Sequence, residues 1–313
     1  MTTISIEDIL AGTGLGSTQS VAQMQVIPLL GDDDATFAPP IVEVGTQAYG
    51  TVVLRADSDT LVPTGAGWVV RQRAQDHALP SATFLRKGEQ KVIKTAMCIQ
   101  QSQGGTIEAG AHALTILPAA LRKTALAVRH VEDFRKLWES IGALTAAEGV
   151  PHAGASLAVF LAAFERELDA FVAELELVDR QIGVIVLVAG EVVGVERAPS
   201  HAYFAAVWEP LVRVCYGSLA VAAARANKAP PATRVPLFVV EKTLDGLSAA
   251  LAIAEEREAV IAQRAVAALA TERLEPTLDE TFGDAALYTV ANGRLAGQCV
   301  MTRGAIQYAS LTA

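Results

Sequence analysis

Gln181-Ile182-Gly183-Val184-Ile185-Val186-Leu187-Val188-Ala189-Gly190-Glu191-Val192-Val193-Gly194-Val195 is the stretch on which the reading of this chain turns. Branched aliphatic residues dominate both halves, which suits a pleated, buried surface. Ala189-Gly190 interrupts them at the place where a tight hairpin turn belongs. The stretch therefore predicts two paired strands, 182–188 and 191–195. It runs into an aromatic segment that begins after Ser200, a residue type that caps helices, so a helix is expected over 201–226. The longest apolar run, Ile182 to Ala189, falls far short of the roughly 20 residues that span a bilayer.

A second apolar passage, Val44 to Gln72, has Leu61-Val62-Pro63-Thr64-Gly65-Ala66-Gly67-Trp68 near its middle. Around it, residues 24–117 read as short strands with turn signals about every ten residues, the spacing of an antiparallel sandwich or partial barrel. The expected strands are 24–30, 41–46, 48–55, 68–70, 83–85 and 92–99, after a short helix over 4–10. At Pro118 the period changes. Leu121, Thr124, Val128, Val131, Phe134, Leu137, Ile141 and Leu144 recur at helical steps. One helix is expected to Gly149-Val150-Pro151 and a second over 155–175, together a helical hairpin. Beyond the third helix, Leu237–Val240 reads as a strand and 244–256 as a helix, while 257–272 fits either. Asn292-Gly293 joins strands 286–290 and 295–301, and 306–311 follows as a last strand. The expected class is α+β: a β-rich lobe over 1–117, packed on a helical hairpin and a mixed section over 118–313.

Composition narrows the function. The chain has 313 residues, 51% hydrophobic and 19% charged, enough apolar side chain for a substantial core. Its net charge of −9 argues against nucleic acid, which needs a basic stripe to displace counterions. Cys98, Cys215 and Cys299 are odd in number and widely spaced, so no disulfide framework is expected. The N-terminus lacks the basic and apolar regions of a signal peptide. These features together predict a cytoplasmic protein with no membrane partner.

Local motifs offer little chemistry. Asp32-Asp33-Asp34 lacks the alternating ligands, Gly and distal Glu of a calcium loop, and reads as a solvated turn. Gly12-Thr13-Gly14-Leu15-Gly16-Ser17 lacks the preceding strand and following helix of a dinucleotide site, and reads as a connector. His77, His112, His130, His152 and His201 show no metal-ligand spacing, so no metal and no cofactor are expected. Cys98 has no base beside it in sequence and reads as a buried structural thiol; a reactive one would be labelled fast in the native state. Ser156 and Ser218 lack a nucleophile-elbow setting. Glu165, Glu167, Asp169, Glu174 and Glu176 read as the exposed face of an amphipathic helix. Arg71-Gln72-Arg73, at the end of a strand, is the one candidate anion site, with Arg71 and Arg73 as guanidinium forks.

Gly67-Trp68-Val69-Val70-Arg71-Gln72-Arg73, the strand Val92 to Cys98, and Gly183–Val195 with Trp208 occur in an order that resembles the ARG and Rhodanese-Phosphatase-superfamily-associated protein domain. That family's pattern places an acidic residue two positions after the Cys; here Gln100 stands there. The family name implies a link to ADP-ribosyl or phosphate metabolism. Two functions are expected. The first is a non-catalytic protein that self-associates as a binding or scaffold component, since a mean hydropathy of +0.34 leaves apolar surface for subunit interfaces. The alternative is an enzyme or binding domain for a phosphorylated or ADP-ribosylated small molecule.

Overall fold

A computed structural model describes residues 3–33, 36–46, 48, 50–68, 76–101, 110–150, 154–226 and 244–313. The N-terminal elements are β1 (Ile4–Ser5), α1 (Ile6–Leu10), β2 (Gly14–Leu15), β3 (Gln19–Val21) and β4 (Met24–Leu30). A β-rich lobe follows: β5 (Glu43–Gly45), β6 (Val52–Arg55), β7 (Thr60–Val62), β8 (Ala66–Trp68), β9 (His77–Ala78), β10 (Thr83–Leu85), β11 (Gln90–Ile93), β12 (Met97–Cys98), β13 (Gly110–Ala111) and β14 (Leu114–Ile116). The helices α2 (Ala119–Ala127), α3 (Trp138–Ala147), α4 (Leu157–Ala163) and α5 (Glu165–Glu174) lead to β15 (Gln181–Val188) and β16 (Glu191–Arg197). Then come α6 (His201–Pro210), a π-helical turn Leu211–Tyr216, α7 (Gly217–Arg225), α8 (Leu244–Ala270), β17 (Arg273–Phe282), β18 (Ala285–Ala291), β19 (Ala296–Thr302) and β20 (Ala305–Thr312). The class is α+β with a β-rich lobe.

One antiparallel sheet organises the rest. Its order is β1-β17-β18-β19-β20-β16-β15-β4-β2, with β3 also on β4, so strands from both ends of the chain share it. All eight residues of β15 are buried because both faces are covered. Val184, Val186 and Val188 enter the core under α6 and α7, while Ile185 and Leu187 enter a second core with α1 and α8. Each such side chain contributes about 1.5–3 kcal/mol by leaving water. The predicted hairpin forms, with Ala189 at φ 52° and Gly190 at φ 84°, the left-handed pair that a two-residue turn requires. A third core fills the β-rich lobe around Trp68, Val44, Leu54 and Leu79.

Two expected helices change. The single helix after Pro118 is two, broken over 128–137. There the Asp133 carboxylate accepts the Arg135 N–H at 2.8 Å, and Lys136 Nζ donates to the carbonyls of Thr95, Val128 and Val131. These local bonds replace helical ones. Phe134 is thereby turned to the lobe, where its carbonyl accepts Cys98 N–H at 2.8 Å. The second helix also divides, at Phe164, whose ring packs 5.1 Å from Phe160 and under the Arg225 guanidinium. Residues 257–270, ambiguous in sequence, extend one continuous helix. The expected strand at 237–240 lies outside the described residues.

The ten-residue strand β17 carries Pro276 and several acidic residues, which are types that strands disfavour. It forms as an outer strand, held beyond β18 only by short β1, where proline is tolerated. A register shift at Asp279 adds a bulge. Pro276 and the bulge both oppose edge-to-edge pairing. His201–Arg225 is long and apolar enough to cross a membrane by length and composition, but it is mostly buried inside the protein.

Candidate functional site

Among the described residues the densest convergence of polar groups lies beneath the large sheet. Arg122 of α2, Glu196 of β16 and Ser310 of β20 are each under 5% exposed. Arg122 Nη1 donates to Glu196 Oε1 at 2.7 Å, and its Nη2 donates to Ser310 Oγ. Tyr216 Oη donates to the same Glu196 oxygen at 2.6 Å. The π-helical turn puts Cys215 and Tyr216 into this cluster together, and Cys215 Sγ lies 3.5 Å from Arg122 Nη1. Gly194 is what lets Tyr216 in: a Cβ there would overlap the phenol oxygen.

Burial works against the Arg122 charge, yet Glu196 holds its pKa above the ordinary range. Burial, then the Glu196 charge, raises Tyr216. Burial pushes the Cys215 thiol up to about 12 despite Arg122. The adjoining cavity, lined by Glu196, Tyr203, Tyr308 and Ser310, offers about 10 Å³, room for one water at most. This cluster therefore clamps α2, the π-turn and two strands; it admits no substrate.

A second polar chain ties the lobe to the sheet. Thr64 Oγ1 and Ala82 N–H both donate to Gln298 Oε1, at 2.9 and 2.7 Å. Gln298 Nε2 donates to Asp279 Oδ2 at 2.9 Å, and Arg129 Nε donates to the other Asp279 oxygen at 3.1 Å. The bulge at Asp279 turns that carboxylate inward. Sequence spacing gave no hint of either network, because partners such as Arg122 and Ser310 are 188 residues apart.

The lobe holds the third arrangement. β12, β9, β8 and β14 form one sheet, with Cys98 directly opposite His77, His77 opposite Trp68, and Trp68 opposite Leu114. Directly opposed residues lie on the same face. Cys98 and His77 are fully buried, and Cys98 Sγ donates to the Gln100 carbonyl at 3.0 Å. Just beyond, Trp138 Nε1 donates to the Cys98 carbonyl at 3.0 Å and forms the wall of an open groove of about 700 Å³ with Gln101, Glu139 and Thr145.

The residues singled out in sequence fare differently. Arg71 and Arg73 lie outside the described residues, as do Gln72 and His152. Cys98 is buried, as expected, but it has a histidine across the strand that no local motif revealed. Asp32 pairs with Arg180 at 2.6 Å. Asp33 accepts the His201 N–H at 2.7 Å, so it caps α6 beside Ser200, whose hydroxyl accepts Tyr203 N–H. His201 Nδ1 bonds the Gln181 carbonyl, and His130 is exposed 3.9 Å from Asp279. The carboxylates Glu165, Glu167, Asp169 and Glu174 of α5 are exposed. Gly14 and Leu15 form the edge strand β2, with no helix after them. Among the described residues no group of three or more His, Cys, Asp or Glu could hold a metal ion.

The fold and these clusters define an α+β protein with a β-rich lobe keyed to a large antiparallel sheet. The chain belongs to the ARPP-1 family, the ARG and Rhodanese-Phosphatase-superfamily-associated Protein domain, whose model matches residues 13–301. No curated protein and no solved structure matches it. The match establishes the family and assigns no activity.

Proposed function

We propose that the protein is a non-catalytic binding or scaffold component that self-associates, and that α8 carries the association. One observation supports this reading most. Leu247, Leu251, Ile253 and Val260 of α8 are between 37% and 49% exposed. Other exposed large apolar side chains, such as Leu15, Ile41 and Val92, stand singly, as on any surface. The C-terminal part of α8 buries Ala262, Ala265 and Leu269 in the second core. At three- and four-residue steps that stripe runs back through Ile261, Glu258 and Ala254 to Leu251 and Leu247, which are exposed on either side of the buried Ala250. Leu247→Glu with Leu251→Glu tests the reading by sedimentation velocity. The pair should shift the protein to the monomer while circular dichroism is unchanged; an unaltered distribution ends the assignment to α8.

A second reading, a binding domain or enzyme for a phosphorylated or ADP-ribosylated small molecule, draws on one feature. Trp68, three residues before Arg71 in the chain, lies in the row with His77 and Cys98. ADP-ribose should then raise the melting temperature of the wild type and not of Arg71→Ala. Equal shifts, or none, remove it.

A further inference from the structure

We propose that the groove walled by Trp138 binds an organic ammonium ion, a cationic head carried on an apolar body. The groove holds about 700 Å³, within the range of small-molecule sites, and no residue of α8 lines it. Bonds already made decide what its walls can offer. The Trp138 Nε1–H is spent on the Cys98 carbonyl at 3.0 Å. Phe134 packs against the indole in an edge contact, with centroids 5.7 Å apart, and fixes the ring. With its single donor used, the indole has only π surface for a ligand, and that surface attracts cations.

The polar lining points the same way. The Thr145 hydroxyl donates to the Ile141 and Gly142 carbonyls, at 3.1 and 2.9 Å, which leaves it only lone pairs to offer. Gln101 Oε1 accepts the Ala155 N–H at 3.4 Å, so its amide nitrogen is the one side-chain donor in this set. Glu139 is exposed and carries the only charge among the described lining residues. Nearby cations are engaged elsewhere. Arg135 pairs with Asp133 at 3.1 Å, and Arg225 pairs with Glu148 at 3.3 Å and lies over the Phe164 ring. Lys136 Nζ donates to the carbonyls of Thr95, Val128 and Val131. Carboxylate and π surface together select a cation over an anion, and the net charge of −9 draws cations towards the molecule.

Shape sets the body of the ligand. Gly142 stands one turn after Trp138 on α3, and a Cβ there would meet nothing within 4 Å. That gap leaves room beside the indole for an alkyl chain. One carboxylate is a poor ligand set for a metal ion, which takes several oxygen donors. An alkylammonium needs only the carboxylate, the ring and the gap.

The test titrates the native full-length protein with hexyltrimethylammonium, hexanol and hexyl sulfate, probes that share a tail and differ in head charge. Intrinsic fluorescence reports the groove, because Trp68 and Trp208 are buried and Trp138 is half-buried. The cation should bind about 3- to 30-fold more tightly than the alcohol, the combined effect of an exposed cation–π contact and an exposed ion pair. Hexyl sulfate should bind most weakly. Glu139→Gln should weaken the cation about two- to fivefold and leave the alcohol unchanged. Gly142→Leu should fill the gap and abolish the response with circular dichroism unchanged. The proposal is overturned by no saturable response to the cation, by equal affinity for cation and alcohol, or by a Glu139→Gln protein with unaltered cation affinity. A cation response that survives Gly142→Leu places the binding elsewhere and overturns it too.

Discussion

Gly194→Ala probes the interior clamp more sharply than any truncation. The added methyl would overlap the Tyr216 hydroxyl oxygen and stand 2.5 Å from two ring carbons, and Tyr216 is fully buried. Gly194 is not in the left-handed region, so backbone strain plays no part. Forcing a methyl into such a core costs about 1–3 kcal/mol. If Tyr216 swings away it also surrenders its 2.6 Å bond to Glu196, a charged acceptor, for about 1.5–3 kcal/mol more. Replacing glycine in a strand returns about 0.5–1 kcal/mol. The net destabilisation should be about 2–5 kcal/mol, a large share of the ~5–15 kcal/mol that holds a typical domain. Urea unfolding reads it as a lower midpoint at constant slope. Tyr216→Phe removes the overlapped oxygen, so the double variant should lose less than the sum of the singles. A Gly194→Ala protein within about 0.5 kcal/mol of the wild type, or strict additivity, would refute the packing argument.

Two further outcomes follow from the same interior. Arg122→Met strips the buried Glu196 carboxylate of its cation and should cost about 3–5 kcal/mol in urea unfolding; a loss under 1 kcal/mol would contradict the clamp. Cys215 and Cys299 have native pKa values raised to about 12 from 9.0, so their stabilisation is complete below about pH 9 and is lost as pH rises towards 12. In that window the unfolded chain binds fewer protons than the native one, and stability falls by up to about 1.4 kcal/mol per pH unit per thiol. Cys299→Ala should flatten the decline between pH 9 and 11 by one thiol's share, and an unchanged slope would exclude that thiol.

Periodicity made much of the fold legible. The alternation-free run at 182–188, the Ala189-Gly190 turn and the cap at Ser200 each carry their structural cause within a few residues. The breaks at 128–137 and Phe164 were hidden, since their causes are tertiary: Lys136 reaching the Thr95 carbonyl, and the Phe164 ring meeting Arg225. Strand β17 was hidden because Pro276 is acceptable only on an outer strand, and edge position is not written in local sequence. The polar clusters were the least legible. Arg122 stands beside Lys123 in sequence with no acidic neighbour, and its partners come from β16, the π-turn and β20. His77 and Cys98 are joined by strand register, which a gap of 21 residues does not announce.

The molar mass of the wild-type protein by light scattering, across the micromolar range, tests the self-association reading most directly. The account predicts a concentration-dependent multiple of the 32.8 kDa chain. A constant 32.8 kDa at tens of micromolar would contradict it.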